Sequence, residues 1–73
     1  MDTNELAREL GRRYREAEDK QTVVAIHLFG IEFADMLAGQ NLQELCRLAG
    51  IPKSYGTELR KGHNLSPFVT LKR

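Results

Sequence analysis

The 73 residues hold a single cysteine, Cys46, and two histidines, His27 and His63, far apart in the chain. One cysteine excludes an internal disulfide and fits a reducing compartment. No Cys/His pair has zinc spacing and no nucleophile stands beside a base, so neither a metal centre nor a catalytic constellation is expected. The glycines, at 11, 30, 39, 50, 56 and 62, are scattered rather than gathered into a phosphate-cradling loop. A chain this short buries only about 60% of its unfolded surface, which leaves little room for a cofactor-sized cleft. The expectation is a protein that is not an enzyme and takes no cofactor.

Nor is there a secretory signal: Met1-Asp2-Thr3-Asn4-Glu5 is acidic and polar. The longest apolar stretch, Val23 to Leu37, is interrupted by His27, Glu32 and Asp35 and falls short of a membrane span. A soluble cytoplasmic protein without a membrane partner is expected, compatible with a bacterial or phage cytoplasm and its nucleoid. Hydrophobic residues at 41% and charged ones at 29% make ordinary globular material, one domain over residues 1–73.

The net charge of +1 conceals an asymmetry. Residues 53–73 carry five basic side chains, Lys53, Arg60, Lys61, Lys72 and Arg73, against Glu58, a net +4; residues 1–52 carry six basic and nine acidic ones, a net −3. One cationic face for a polyanion, and a second face turned elsewhere, would account for that split.

Along the chain, Leu6, Leu10, Tyr14 and Ala17 recur with the helical period behind an Asp2 or Thr3 cap, predicting a helix over roughly residues 4–17. Its outer surface offers the pairs Glu9–Arg13, Arg12–Glu16 and Glu16–Lys20. Arg12, Arg13 and Arg15, interleaved with acids, read as a solvated face. A second helix is predicted over residues 20–38, with Ile26, Phe29, Gly30, Phe33 and Leu37 on one side and a second apolar row, Val24, Leu28 and Ile31, on the other. Gly30 inside it implies the close approach of another backbone. His27 reads as a half-buried packing residue.

Asn41 followed by Glu44 resembles a capping box and opens a short third helix ending at Ala49-Gly50. Pro52 or Lys53 opens a fourth helix through Lys61, with Gly62 as its stop. Two short helices joined by a tight glycine-containing turn form a helix-turn-helix over residues 41–62, in which Leu45, Ile51 and Leu59 plug the angle, Cys46 and Ala49 are small enough for close approach, and Gly50 takes positive φ. The predicted fold is therefore all-α, a small bundle of four to five helices: an N-terminal helical pair (1–38), the motif (41–62) and a tail (63–73). In the tail, Ser66-Pro67 can cap a last helical turn, while Phe68-Val69-Thr70-Leu71 can equally form a short strand.

The run Leu45-Cys46-Arg47-Leu48-Ala49-Gly50-Ile51-Pro52-Lys53-Ser54-Tyr55-Gly56-Thr57-Glu58-Leu59-Arg60-Lys61-Gly62 resembles the helix-turn-helix of the Xre/lambda-repressor-like DNA-binding family. The resemblance covers residues 41–62, about a third of the chain. It implies that Lys53, Ser54, Thr57 and Glu58 enter the major groove of double-stranded DNA, and that Tyr55, Lys61, Asn41 and Gln43 lie against phosphates. Lys53 would then donate to guanine, Glu58 accept from cytosine, and Ser54 or Thr57 serve either, while Lys53, Lys61, Lys72 and Arg73 supply salt-sensitive affinity. Three features depart from the family. Gly56 stands where Ile, Leu or Val normally wedges between the motif helices, Cys46 replaces a usual Ala, and only residues 63–73 follow the motif.

The expected function is sequence-specific double-stranded DNA binding by a transcriptional regulator or repressor. A homodimer is expected through the helix at 20–38, whose two apolar rows exceed what its neighbours can cover. The alternative from another class is a protein-interaction adaptor or antitoxin-like module that docks a partner on that same helix.

Overall fold

The Asp2 carboxylate accepts the Glu5 backbone N–H at 2.8 Å and starts α1, Thr3–Glu16. The computed structural model describes residues 1–71; Lys72 and Arg73, expected among the phosphate contacts, lie outside the described residues. After α1 come α2 (Thr22–Glu32), α3 (Ala34–Leu37), α4 (Leu42–Ala49), α5 (Tyr55–Leu65) and a 3₁₀ turn, Ser66–Phe68. The all-α bundle read from the periodicity is the fold observed.

Leu6 and Leu10 of α1 are fully buried, with Tyr14 packed at the core's edge. Ala7 and Gly11 also face inward, because α4 passes so close that a Cβ on Gly11 would stand 2.7 Å from the Ala49 carbonyl oxygen. Of the expected surface pairs, Glu9–Arg13 (2.7 Å) and Arg12–Glu16 (2.8 Å) form. Glu16–Lys20 does not, since α1 has ended and Lys20 turns the chain in a left-handed conformation, φ 67. Arg13 is not part of a solvated face. Its guanidinium reaches from α1 to Glu32 on α2 at 2.6 Å and lies over the Phe33 ring at 5.4 Å, fastening the two helices.

The second helix differs from the continuous one expected over residues 20–38. It begins at Thr22, after the Lys20 turn, and breaks at Phe33 (φ −107, ψ 24) before α3. A straight 19-residue helix would be roughly 28 Å long, nearly the longest dimension of the molecule, 31 Å. The bend instead folds α3 back so that Leu37 enters the core while Met36 stays exposed. Phe29 and Phe33 stack across the bend with ring centroids 4.6 Å apart.

Ile26 and Phe29 point into the core, and Gly30 meets α5. A Cβ on Gly30 would stand 2.6 Å from the Leu59 carbonyl oxygen, and one on Gly62 would stand 3.0 Å from the Gly30 Cα. The close backbone approach predicted from Gly30 is thus the α2–α5 crossing. Gly62 is not the stop of the fourth helix: it lies inside α5, which runs on to Leu65 because a glycine is what the crossing requires there. Beyond α5 the chain tightens into the 3₁₀ turn, with Pro67 in its first positions; Val69 is extended, and residues 69–71 form no strand. The strand reading of Phe68 to Leu71 is therefore not realised among the described residues; a strand needs a neighbour, and the fold presents only helices.

Candidate nucleic-acid interface

Asn41 caps α4: its side-chain oxygen accepts the Glu44 backbone N–H at 3.1 Å. The reciprocal arm of a capping box is missing, because the Glu44 carboxylate turns to Arg47, which also holds its pKa below the usual carboxylate range. At the other end Gly50 adopts φ 77, ψ 24, its N–H reaches the Arg47 carbonyl at 3.1 Å, and the Ile51 N–H reaches the Cys46 carbonyl at 3.0 Å. That is a Schellman closure, with Ile51 delivered into the core.

Residues Pro52 to Ser54 make the turn, with Tyr55 and Gly56 N–H groups bonded to the Pro52 and Lys53 carbonyls at 3.1 and 2.9 Å. The regular helix therefore starts at Tyr55, later than Pro52 or Lys53. Leu45, Ile51 and Leu59 are buried together between the two helices, as are Cys46 and Ala49. Burial without an ion-pair partner pushes the Cys46 thiol up to about 11, an unreactive state.

Gly56 does not leave α5 loosely docked. It is buried, and a Cβ there would lie 3.1 Å from the Gln43 Cγ and 3.2 Å from the Gln43 backbone nitrogen. The missing side chain is replaced by the approach of the α4 N-terminus itself. Above it opens a groove of about 530 Å³, lined by Gly39, Gln40, Asn41, Leu42, Gln43, Gly56, Thr57 and Arg60, with no acidic side chain among them.

The site residues expected from sequence divide into two sets. Lys53, Ser54, Thr57 and Lys61 are exposed on one side of the turn and α5, and Asn41 and Gln43 are exposed at the start of α4 across the groove. Tyr55 and Glu58 are half-buried. The Tyr55 ring packs edge-on against Tyr14 at 5.4 Å. The Glu58 carboxylate bonds His27 Nε2 and also pairs with Lys61 at 3.2 Å, contacts that hold its pKa below the ordinary value, His27 contributing most. His27 is thus half-buried, as read from the sequence, and is tied across to α5. Arg60, absent from the expected set, stands exposed on the groove with Thr57. Its i+3 spacing from Thr57 is the signal that could have found it.

Two amphipathic helices set at an angle through a left-handed glycine, with the outer surface of the second left open, define a helix-turn-helix protein. The chain belongs to the HTH-like domain family, whose model matches residues 2–72. No curated protein and no solved structure matches it. Among the described residues no helix is long and apolar enough to cross a membrane, and no group of His, Cys, Asp and Glu is placed to hold a metal ion.

Proposed function

We propose that residues 1–73 act as one unit that binds double-stranded DNA with α5 in the major groove, as a dimeric transcriptional regulator or repressor of a bacterial or phage cytoplasm, in the manner of the Xre/lambda-repressor-like proteins that residues 41–62 resemble. The observation that carries this reading is the charge on the open side of the motif. Lys53, Arg60 and Lys61 are exposed there beside Ser54 and Thr57, while the one acid of α5, Glu58, is turned to His27 and Lys61. Cations so placed release counterions from phosphate, and the hydroxyls and Arg60 offer donors to base edges. Lys61 is exposed and its pair with the half-buried Glu58 is long, so a phosphate can recruit the lysine. Glu58 becomes a poor acceptor for cytosine, because reading it would break its contact with α2.

Fluorescence anisotropy of a labelled duplex at two salt concentrations tests this. The double variant Lys53→Glu, Lys61→Glu should lose binding while keeping its helical circular dichroism and melting temperature. Undiminished low-salt binding by that variant would overturn the assignment.

One observation favours the adaptor reading: Val23, Val24 and Leu28 of α2 are each more than two-fifths exposed. A chemical-shift map on adding duplex separates the two. Shifts confined to residues 20–38 would support the adaptor, and shifts centred on residues 41–61 the DNA reading.

A further inference from the structure

Val24, Leu28 and Ile31 occupy the side of α2 opposite Ile26, Phe29 and Gly30, with Val24 46% and Leu28 43% exposed. The row is apolar on both sides of Leu28. A half-turn about an axis through Leu28 therefore sets Val24 of one chain against Ile31 of a second, the self-complementarity that a twofold interface requires. We propose that two copies pair through this face with their α2 helices antiparallel about Leu28, and that the Phe68–Leu71 segment of each lies in its partner's groove over Val24. The proposal deepens the dimeric reading above and rests on it.

The area argument calls for the segment. From Val24 to Ile31 the row is only about 10 Å long, far too little for the roughly 800 Å² per partner of a stable association. More apolar surface continues from the Ile31 end, where Ile31, Val69 and Leu71 line one open groove with Glu32, Ser66 and Thr70, and Phe68 is 82% exposed; the Glu32 carboxylate there is paired with Arg13. The opposite end of α2 holds the complement. There Ala17, Val24, Ala25 and Leu28 floor an open groove of about 400 Å³ rimmed by Glu18 and Asp19, and no basic side chain among the described residues lines it.

The antiparallel arrangement lays the partner's Ile31 end, and with it Phe68–Leu71, onto that groove. A chain's own segment sits at the wrong end of its α2 to fill it, so a second copy is the occupant that fits. The chemistry agrees: the segment is apolar and is followed in sequence by Lys72 and Arg73, and the groove is apolar with an acidic rim.

Sedimentation equilibrium at tens of micromolar, combined with disulfide trapping, tests the proposal; Cys46 is buried and stays out of the reaction. A Leu28→Cys chain should oxidise to a covalent dimer, and a mixture of Val24→Cys and Val69→Cys chains should give a covalent heterodimer that neither gives alone. Leu28→Glu and Phe68→Glu, at exposed positions, should each raise the dimer dissociation constant at least tenfold while the melting temperature of the chain is kept. A dimer that traps no such disulfide and ignores both substitutions would overturn this interface while leaving the dimeric reading in place. A parent protein of one-chain mass throughout would overturn both, whereas duplex binding through α5 is read separately.

Discussion

Gly62 of α5 faces Gly30 of α2 at the point where the two helices cross, so close that a Cβ on Gly62 would lie 3.0 Å from the Gly30 Cα and inside contact distance of the His27 carbonyl oxygen. Both obstacles are backbone and cannot rotate away. Alanine at a helical glycine ordinarily gains about 1 kcal/mol in propensity, but here overpacking opposes it by typically ~1–3 kcal/mol. Gly62→Ala and Gly30→Ala should therefore lower the urea midpoint. A raised midpoint would show that α2 and α5 do not cross at these residues.

Leu59 is fully buried between α4, α5 and α2. Leu59→Ala should destabilise by roughly 2–5 kcal/mol, a large part of the ~5–15 kcal/mol that holds a domain together. Thermal melting followed by circular dichroism reads the loss, and an unchanged transition would place Leu59 outside the core.

Acid should weaken the α1–α2 corner through Glu9. Its pKa is held down to about 2, first by the hydrogen bond from Arg12 and then by that from Arg13. A depressed folded-state pKa means a contribution present in full above the unfolded value, 4.5, and lost as pH falls through about 2. Glu9→Gln should accordingly melt below the parent at pH 7, and the gap should close by about pH 2. A gap independent of pH would assign the effect to packing instead.

Arg60 should behave as a phosphate or base contact rather than as a structural residue, since it is exposed on the groove and no hydrogen bond or ion pair among the described residues engages it. Arg60→Ala should weaken duplex binding and, if the contact is to phosphate, reduce the slope of log affinity against log salt by about 1. Its melting temperature should match the parent's. Unaltered affinity at every salt concentration would remove Arg60 from the interface.

The helix-turn-helix was legible because its signals are local: the Asn41 cap, the Gly50 corner and the small-and-apolar spacing of Leu45, Cys46, Ala49, Ile51 and Leu59 each act within a turn or two of chain. Those residues sit where the spacing set them. The same local rules also found α1 and the two faces of α2. They foresaw a close approach at Gly30 but failed at other positions where a distant element decided the outcome. Gly62 has the look of a helix stop, and only the presence of α2 against it makes it an interior residue of α5. Phe33 has the look of one more apolar position in a continuous helix, yet the chain bends there, where Arg13 from α1 and Glu32 converge. Tyr55 and Glu58 satisfy the periodicity of an outward face. Tyr14 and His27, 41 and 31 residues away in the chain, draw them inward and leave Arg60 exposed on the groove. Hydrophobic period and capping chemistry thus determined which segments are helices and that two of them form the motif. Which side chains of α5 remain exposed was decided by packing, because a side chain's exposure depends on whether a partner from another helix reaches it first.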